Sequence, residues 1–88
     1  MYLAKVMGSV VITQKTPALM GKKLMLIKPV DIDEQRIERE TKVAVDAVGS
    51  GNGDLVLVSQ GAAARHVFDG VNEGIDSAIV GIVDSLNR

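Results

Sequence analysis

Lys42-Val43-Ala44-Val45-Asp46-Ala47-Val48, then Gly49-Ser50-Gly51-Asn52-Gly53, then Asp54-Leu55-Val56-Leu57-Val58-Ser59: two β-type runs flank a glycine-rich break, and this stretch decides the fold class. The first run alternates. It places Val43, Val45 and Ala47 on one face and Lys42, Ala44 and Asp46 on the other, which predicts a half-buried strand. On that reading Asp46 faces water, or pairs with Arg65 within or between subunits. The second run is continuously apolar from Leu55 to Val58, as expected of a strand that is buried on both faces or covered by another subunit. The glycines between them predict a hairpin turn with positive φ.

Working outward, Tyr2 to Thr13 predicts a β-branched strand, with a bulge or sharp bend at Gly8. Gln14-Lys15-Thr16-Pro17 is turn-like, and Gly21 precedes a further strand, Lys22 to Val30, that Pro29 and Asp31 bring to an end. Asp31 to Lys42 is dominated by Asp33, Glu34, Arg36, Glu38, Arg39 and Glu40, and is expected as a solvated hairpin tip or a short surface helix. On the other side, Gln60 to Asp69 contains Ala62, Ala63 and Ala64 and predicts a short helix. Gly70 and Gly74 bracket a loop, and Ser77 to Asp84 is expected as the last strand. Several short strands with glycine-rich turns predict a mainly β fold, a small five-stranded OB-like barrel with one short α-helix before the last strand, as a single domain over 1–88. Closure into a barrel also removes exposed strand edges.

Composition narrows the function. A chain of 88 residues buries only about 60–65% of the surface its unfolded form exposes, so it is marginal alone. Small domains add disulfides, a metal or a partner chain. There is no cysteine and one histidine, which excludes disulfides and multi-histidine or thiolate metal sites within one chain and leaves oligomerisation. Aromatic residues are only Tyr2 and Phe68, and the net charge is -1. A nucleic-acid binder needs a basic groove and stacking platforms, so no nucleic-acid partner is expected. No apolar run approaches the roughly 20 residues of a membrane span, and no secretory leader follows Met1; no membrane association and a cytoplasmic location are expected.

The apparent catalytic motifs do not hold together. Gly49-Ser-Gly-Asn-Gly53 is not the dinucleotide pattern and leads into a strand, where pyrophosphate binding needs a helix N-terminus. Ser59 lies between a predicted strand and helix with His66 beyond it, but Leu57 replaces the first glycine of a nucleophile elbow and no third group orients the histidine. Ser59 reads instead as a helix N-cap. Asp31-x-Asp33-Glu34 is too short for a calcium loop and lacks its glycine. No catalytic residue, cofactor or metal is expected.

Three segments resemble the EutN/CcmL family of microcompartment vertex proteins. They are Ala4 to Thr13 with Lys15 following, Val43 to Ser59, and Gln60-Gly-Ala-Ala-Ala-Arg65 with the closing Asp76 to Asp84. The middle segment is the most specific, and Gln60 departs from the small residue expected at its place. The resemblance implies a non-enzymatic shell protein, a homopentamer at the fivefold corners of a shell otherwise tiled by hexagonal shell proteins. A carboxysome and ethanolamine, propanediol or glycyl-radical compartments would all use such a subunit. It places Gly49, Ser50, Gly51, Asn52, Gly53 and Asp54 at a subunit contact or the fivefold axis. Ser59, Gln60, Gly61, Ala62 and Arg65 are interface candidates too, because small side chains admit a neighbouring backbone and arginine can bond it. The alternative is a small OB-type binding module for nucleic acid or another ligand.

Overall fold

β-Branched and leucine-rich runs form five strands: β1 (Tyr2–Val10), β2 (Lys23–Pro29), β3 (Lys42–Asp46), β4 (Leu55–Gln60) and β5 (Ser77–Ile82). The computed structural model of the chain describes residues 1–13, 20–35, 41–61 and 76–86. Three strands end earlier than the sequence suggested, β1 at Val10, β3 at Asp46 and β5 at Ile82, while β4 is shifted one residue on from the expected Asp54 to Ser59. Gln60 is the last residue of β4 and Gly61 begins a turn, so the expected helix does not start at Gln60 and Ser59 is not its N-cap. The rest of that expected helix, 62–69, lies outside the described residues, as do 36–40 of the charged stretch.

The strands close into a barrel in the order β1-β2-β3-β5-β4. All neighbouring pairs are antiparallel except β3 and β5, which run parallel through Val45↔Ala78 and Asp46↔Ile79. β3 and β4 are therefore not neighbours, and residues 47–54 are a crossover connection where the sequence predicted a hairpin turn. The mainly β, closed five-stranded architecture matches the sequence reading.

Two irregularities bend the wall. The β1–β2 register jumps from Val6 to Gly8, leaving Met7 as the extra residue at the bulge the sequence anticipated. The β4–β5 register jumps between Leu57 and Val58, opposite Gly81 and Ile79, which leaves Val80 extra. Bulges increase local twist and let a small sheet close on itself.

Inside the barrel, Ala4, Val6, Met25, Ile27, Ala44, Val56, Val58 and Ile79 form one fully covered cluster. Each large side chain so covered contributes about 1.5–3 kcal/mol. A second cluster joins Leu24, Val45 and Ala78 to the half-buried Val10, Ile12 and Val80. Leu24 adjoins the inward Met25 on β2 and Val45 the inward Ala44 on β3, so alternation puts this second cluster on the outer face of the wall. β3 is accordingly covered on both faces at Ala44 and Val45, while Val43 is 51% exposed. In β4, Val56 and Val58 point inward and Leu55 and Leu57 are half-buried on the outer side.

Beyond β2 the chain turns on Asp31. Its carboxylate accepts the Asp33 and Gln35 amides at 2.9 Å each. Glu34 there has φ +60° and accepts a hydrogen bond from Lys5 Nζ at 2.8 Å.

Candidate assembly interface

The crossover from β3 to β4 begins at a buried carboxylate. Asp46 shares the ladder position of the inward-facing Ile79, which turns its side chain toward the barrel interior, 1% exposed. The expectation that Asp46 faces water is thus overturned, because alternation from Ala44 turns it inward. Ala47, expected on the buried face with Val45, is exposed. Asp46 Oδ1 accepts the Val48 amide at 3.2 Å and Oδ2 accepts the Ser50 amide at 2.9 Å. Lys23, its cross-strand partner on β2, places Nζ 3.6 Å from Oδ2 and donates to the Ser50 carbonyl at 2.6 Å. The Arg65 partner considered from sequence lies outside the described residues.

The second half of the crossover is held by Asp54 and by β1. Asp54 Oδ2 accepts the Gly51 amide at 2.8 Å, and the Asp54 amide donates to the Gly51 carbonyl at 3.1 Å. Gly53 N–H donates to the Val6 carbonyl at 2.8 Å, and Val6 N–H to the Asp54 carbonyl at 2.9 Å. Gly49 and Gly53 have φ of +83° and +90°, a conformation that a Cβ disfavours. Gly51 does not need it. Asn52 stands exposed at the tip. Ser50 is 1% exposed, and its hydroxyl has no hydrogen-bond partner.

Ser59, Gln60 and Gly61 lie at the C-terminal end of β4. Ser59 is buried and pairs with Ala78, and Gln60 is exposed and pairs with Ser77. Gly61, with φ +68°, donates its N–H to the Asp76 carbonyl at 2.8 Å. Ala62 and Arg65 lie outside the described residues. Asp54 and Gly61 bound the strand and stand about 20 Å apart along it, given roughly 3.3 Å per residue. The structure thus holds Gly49 to Asp54 in one loop, which leaves β3 at Asp46, two strands across from Val58 through Ile79. Sequence reasoning missed Lys23 and the inward Asp46. The available signal was an acid at the last position of an apolar strand, directly before a glycine–serine loop, where its carboxylate reaches amides two and four residues on.

Among the described residues there is no group of three or more His, Cys, Asp or Glu side chains able to hold a metal ion. Ser59 is committed to the β4–β5 ladder, and His66 lies outside the described residues. The one described aromatic ring, Tyr2, packs against the core with Lys42 Nζ 5.3 Å from its centroid. No described helix is long and apolar enough to cross a membrane.

The chain is 56% identical over 90 residues to the bacterial microcompartment shell vertex protein PduN of Salmonella typhimurium, across 99% of both chains. It is 46% identical over 87 residues to the carboxysome shell vertex protein CcmL of a Synechocystis species, across 99% of this chain and 86% of that one. Its structure superposes on the GrpN pentameric microcompartment shell protein of Rhodospirillum rubrum with a TM-score of 0.87, at 42% identity over the whole of both chains. The family model described as ethanolamine utilisation protein EutN/carboxysome matches residues 1–84, and the chain belongs to this EutN/CcmL family of structural shell vertex proteins, whose named relatives are not enzymes.

Proposed function

We propose that this chain is the vertex subunit of a bacterial microcompartment shell. It assembles as a homopentamer in the cytoplasm and closes the fivefold corners between hexagonal shell proteins. The observation that carries this reading is the agreement, over the full length of both chains, with a shell protein that is itself pentameric. The physical chemistry supports it. A barrel this small keeps Val43 at 51% and Met7 at 47% exposure, and leaves Leu55 and Leu57 half-covered on the outer wall. Apolar residues on both faces of a strand are best covered by another chain. A ring is a head-to-tail contact that closes on itself, so two different patches of one barrel are used.

In this reading the crossover loop, Gly49 to Asp54, lies at a subunit contact, with the exposed tip at Asn52 nearest the neighbour. Ser59, Gln60 and Gly61, at the far end of β4, belong with Ala62 and Arg65 to a second contact region. Co-assembly with hexagonal shell proteins tests the function. With the chain present, closed polyhedral particles form; with it omitted, sheets or tubes remain open. Closed particles in equal yield without the chain would contradict the vertex role.

A further inference from the structure

The crossover loop is inside out with respect to hydropathy. Asp46, a carboxylate, is buried beneath it, while Val48 is 40% exposed and Ala47 and Gly49 are exposed beside it. Solvation alone favours the reverse, with valine inward and the carboxylate in water. The reversed arrangement persists because the buried acid is fully used. It accepts the Val48 and Ser50 amides and faces the Lys23 ammonium. Residues 47–54 join two strands that are not ladder neighbours, so their backbone donors have no strand partner along most of the loop. Asp46 satisfies two of those donors and Asp54 a third. Lys23 ties the same segment to β2 by its bond to the Ser50 carbonyl.

We propose that Asp46 and Lys23 form a latch that holds the crossover turned outward, with the Val48–Gly49 lip presented to the neighbouring copy of the chain. Asp46 is thus a positioning residue for assembly, acting through the loop and touching no partner itself. The inference rests on the reading that this loop lies at a subunit contact. Lys23 is the adjustable half: its side chain is 52% exposed, so its loss frees the loop without opening the core. The Ser50 hydroxyl, buried without a partner, contributes volume beneath the loop and no bond.

Two measurements on the full chain test the latch together: amide hydrogen exchange at Val48 and Ser50, and the pentamer fraction by native mass spectrometry across a dilution series. Lys23→Met is expected to keep the barrel's circular dichroism. It should speed exchange at Ser50 by roughly tenfold, the loss of about one hydrogen bond, and raise the concentration at which pentamers dissociate by a similar factor. Asp46→Asn retains one carbonyl oxygen able to accept an amide, so its assembly should fall between wild type and Asp46→Ala. Should Asp46→Ala fail to fold, Lys23→Met and Asp46→Asn still decide. Faster exchange with unchanged assembly overturns the proposal, and so does unchanged exchange in Lys23→Met. A wild-type chain that never reaches five copies overturns the functional reading instead, and needs no variant to show it.

Discussion

Lys23 stands directly across the β2–β3 ladder from Asp46, and its ammonium nitrogen lies 3.6 Å from a carboxylate that is 1% exposed, while Lys23 itself is 52% exposed. The pair is therefore asymmetric. Removing the lysine leaves a carboxylate that still accepts two amides. Removing the carboxylate leaves the Val48 and Ser50 amides without their side-chain acceptor. Asp46→Ala is expected to lower unfolding free energy by about 2–6 kcal/mol, from two donors that lose their acceptor at about 1–3 kcal/mol each. Lys23→Met should cost about 1–1.5 kcal/mol, the loss of about one hydrogen bond. Urea denaturation of both variants checks the difference, and equal effects would contradict the asymmetry.

The three glycines of the loop are not equivalent. Gly49 and Gly53 occupy the left-handed region, so Gly49→Ala and Gly53→Ala should each cost about 1–2 kcal/mol. Gly51 lies outside that region, and a Cβ there meets Asp54 Oδ2 at 3.9 Å, an ordinary contact. Gly51→Ala should change stability by less than about 0.5 kcal/mol, as substitutions away from special backbone positions do. Thermal melts of the three variants give the ranking, and a Gly51→Ala as costly as Gly53→Ala would show the loop geometry to be wrong.

Much of the fold was legible because its strands are built from β-branched and leucine runs between glycine and proline breaks. The bulge at Gly8 was legible for the same local reason. The closure order was not. The parallel pairing of Asp46 with Ile79 joins residues far apart in sequence, and no local pattern announces it. That pairing turned an expected hairpin into a crossover. It also explains the reversed faces of β3: alternation alone put Val43, Val45 and Ala47 on the buried side, but Val45 is buried by an outer cluster with Leu24 and Ala78, while Ala44 and Asp46 face the interior. Of the candidate interface, the glycine-rich loop was visible from composition. Its clamp was not, since Lys23 reaches it from another strand.

Asn52 carries a Cβ already and is exposed at the loop tip, so a bulky replacement tests the neighbour without testing the backbone. Asn52→Trp is expected to leave the melting of the isolated barrel within about 0.5 kcal/mol of wild type, as exposed positions do, while weakening pentamers and shell incorporation. Intact pentamers carrying tryptophan at that position would remove the tip from the contact.

Inside the barrel, Ile27 is 0% exposed and packs within the main cluster. Ile27→Ala should cost about 2–5 kcal/mol, enough to unfold much of a marginal domain at 37 °C. Circular dichroism should show lost strand signal, with assembly failing as a consequence. A well-folded Ile27→Ala pentamer of wild-type melting temperature would contradict the assignment of the core.

The central claim is the subunit count. Native mass spectrometry of the purified wild-type chain at micromolar concentration measures it most directly. The account predicts a single dominant species of five copies; a dominant monomer, dimer or hexamer would contradict it.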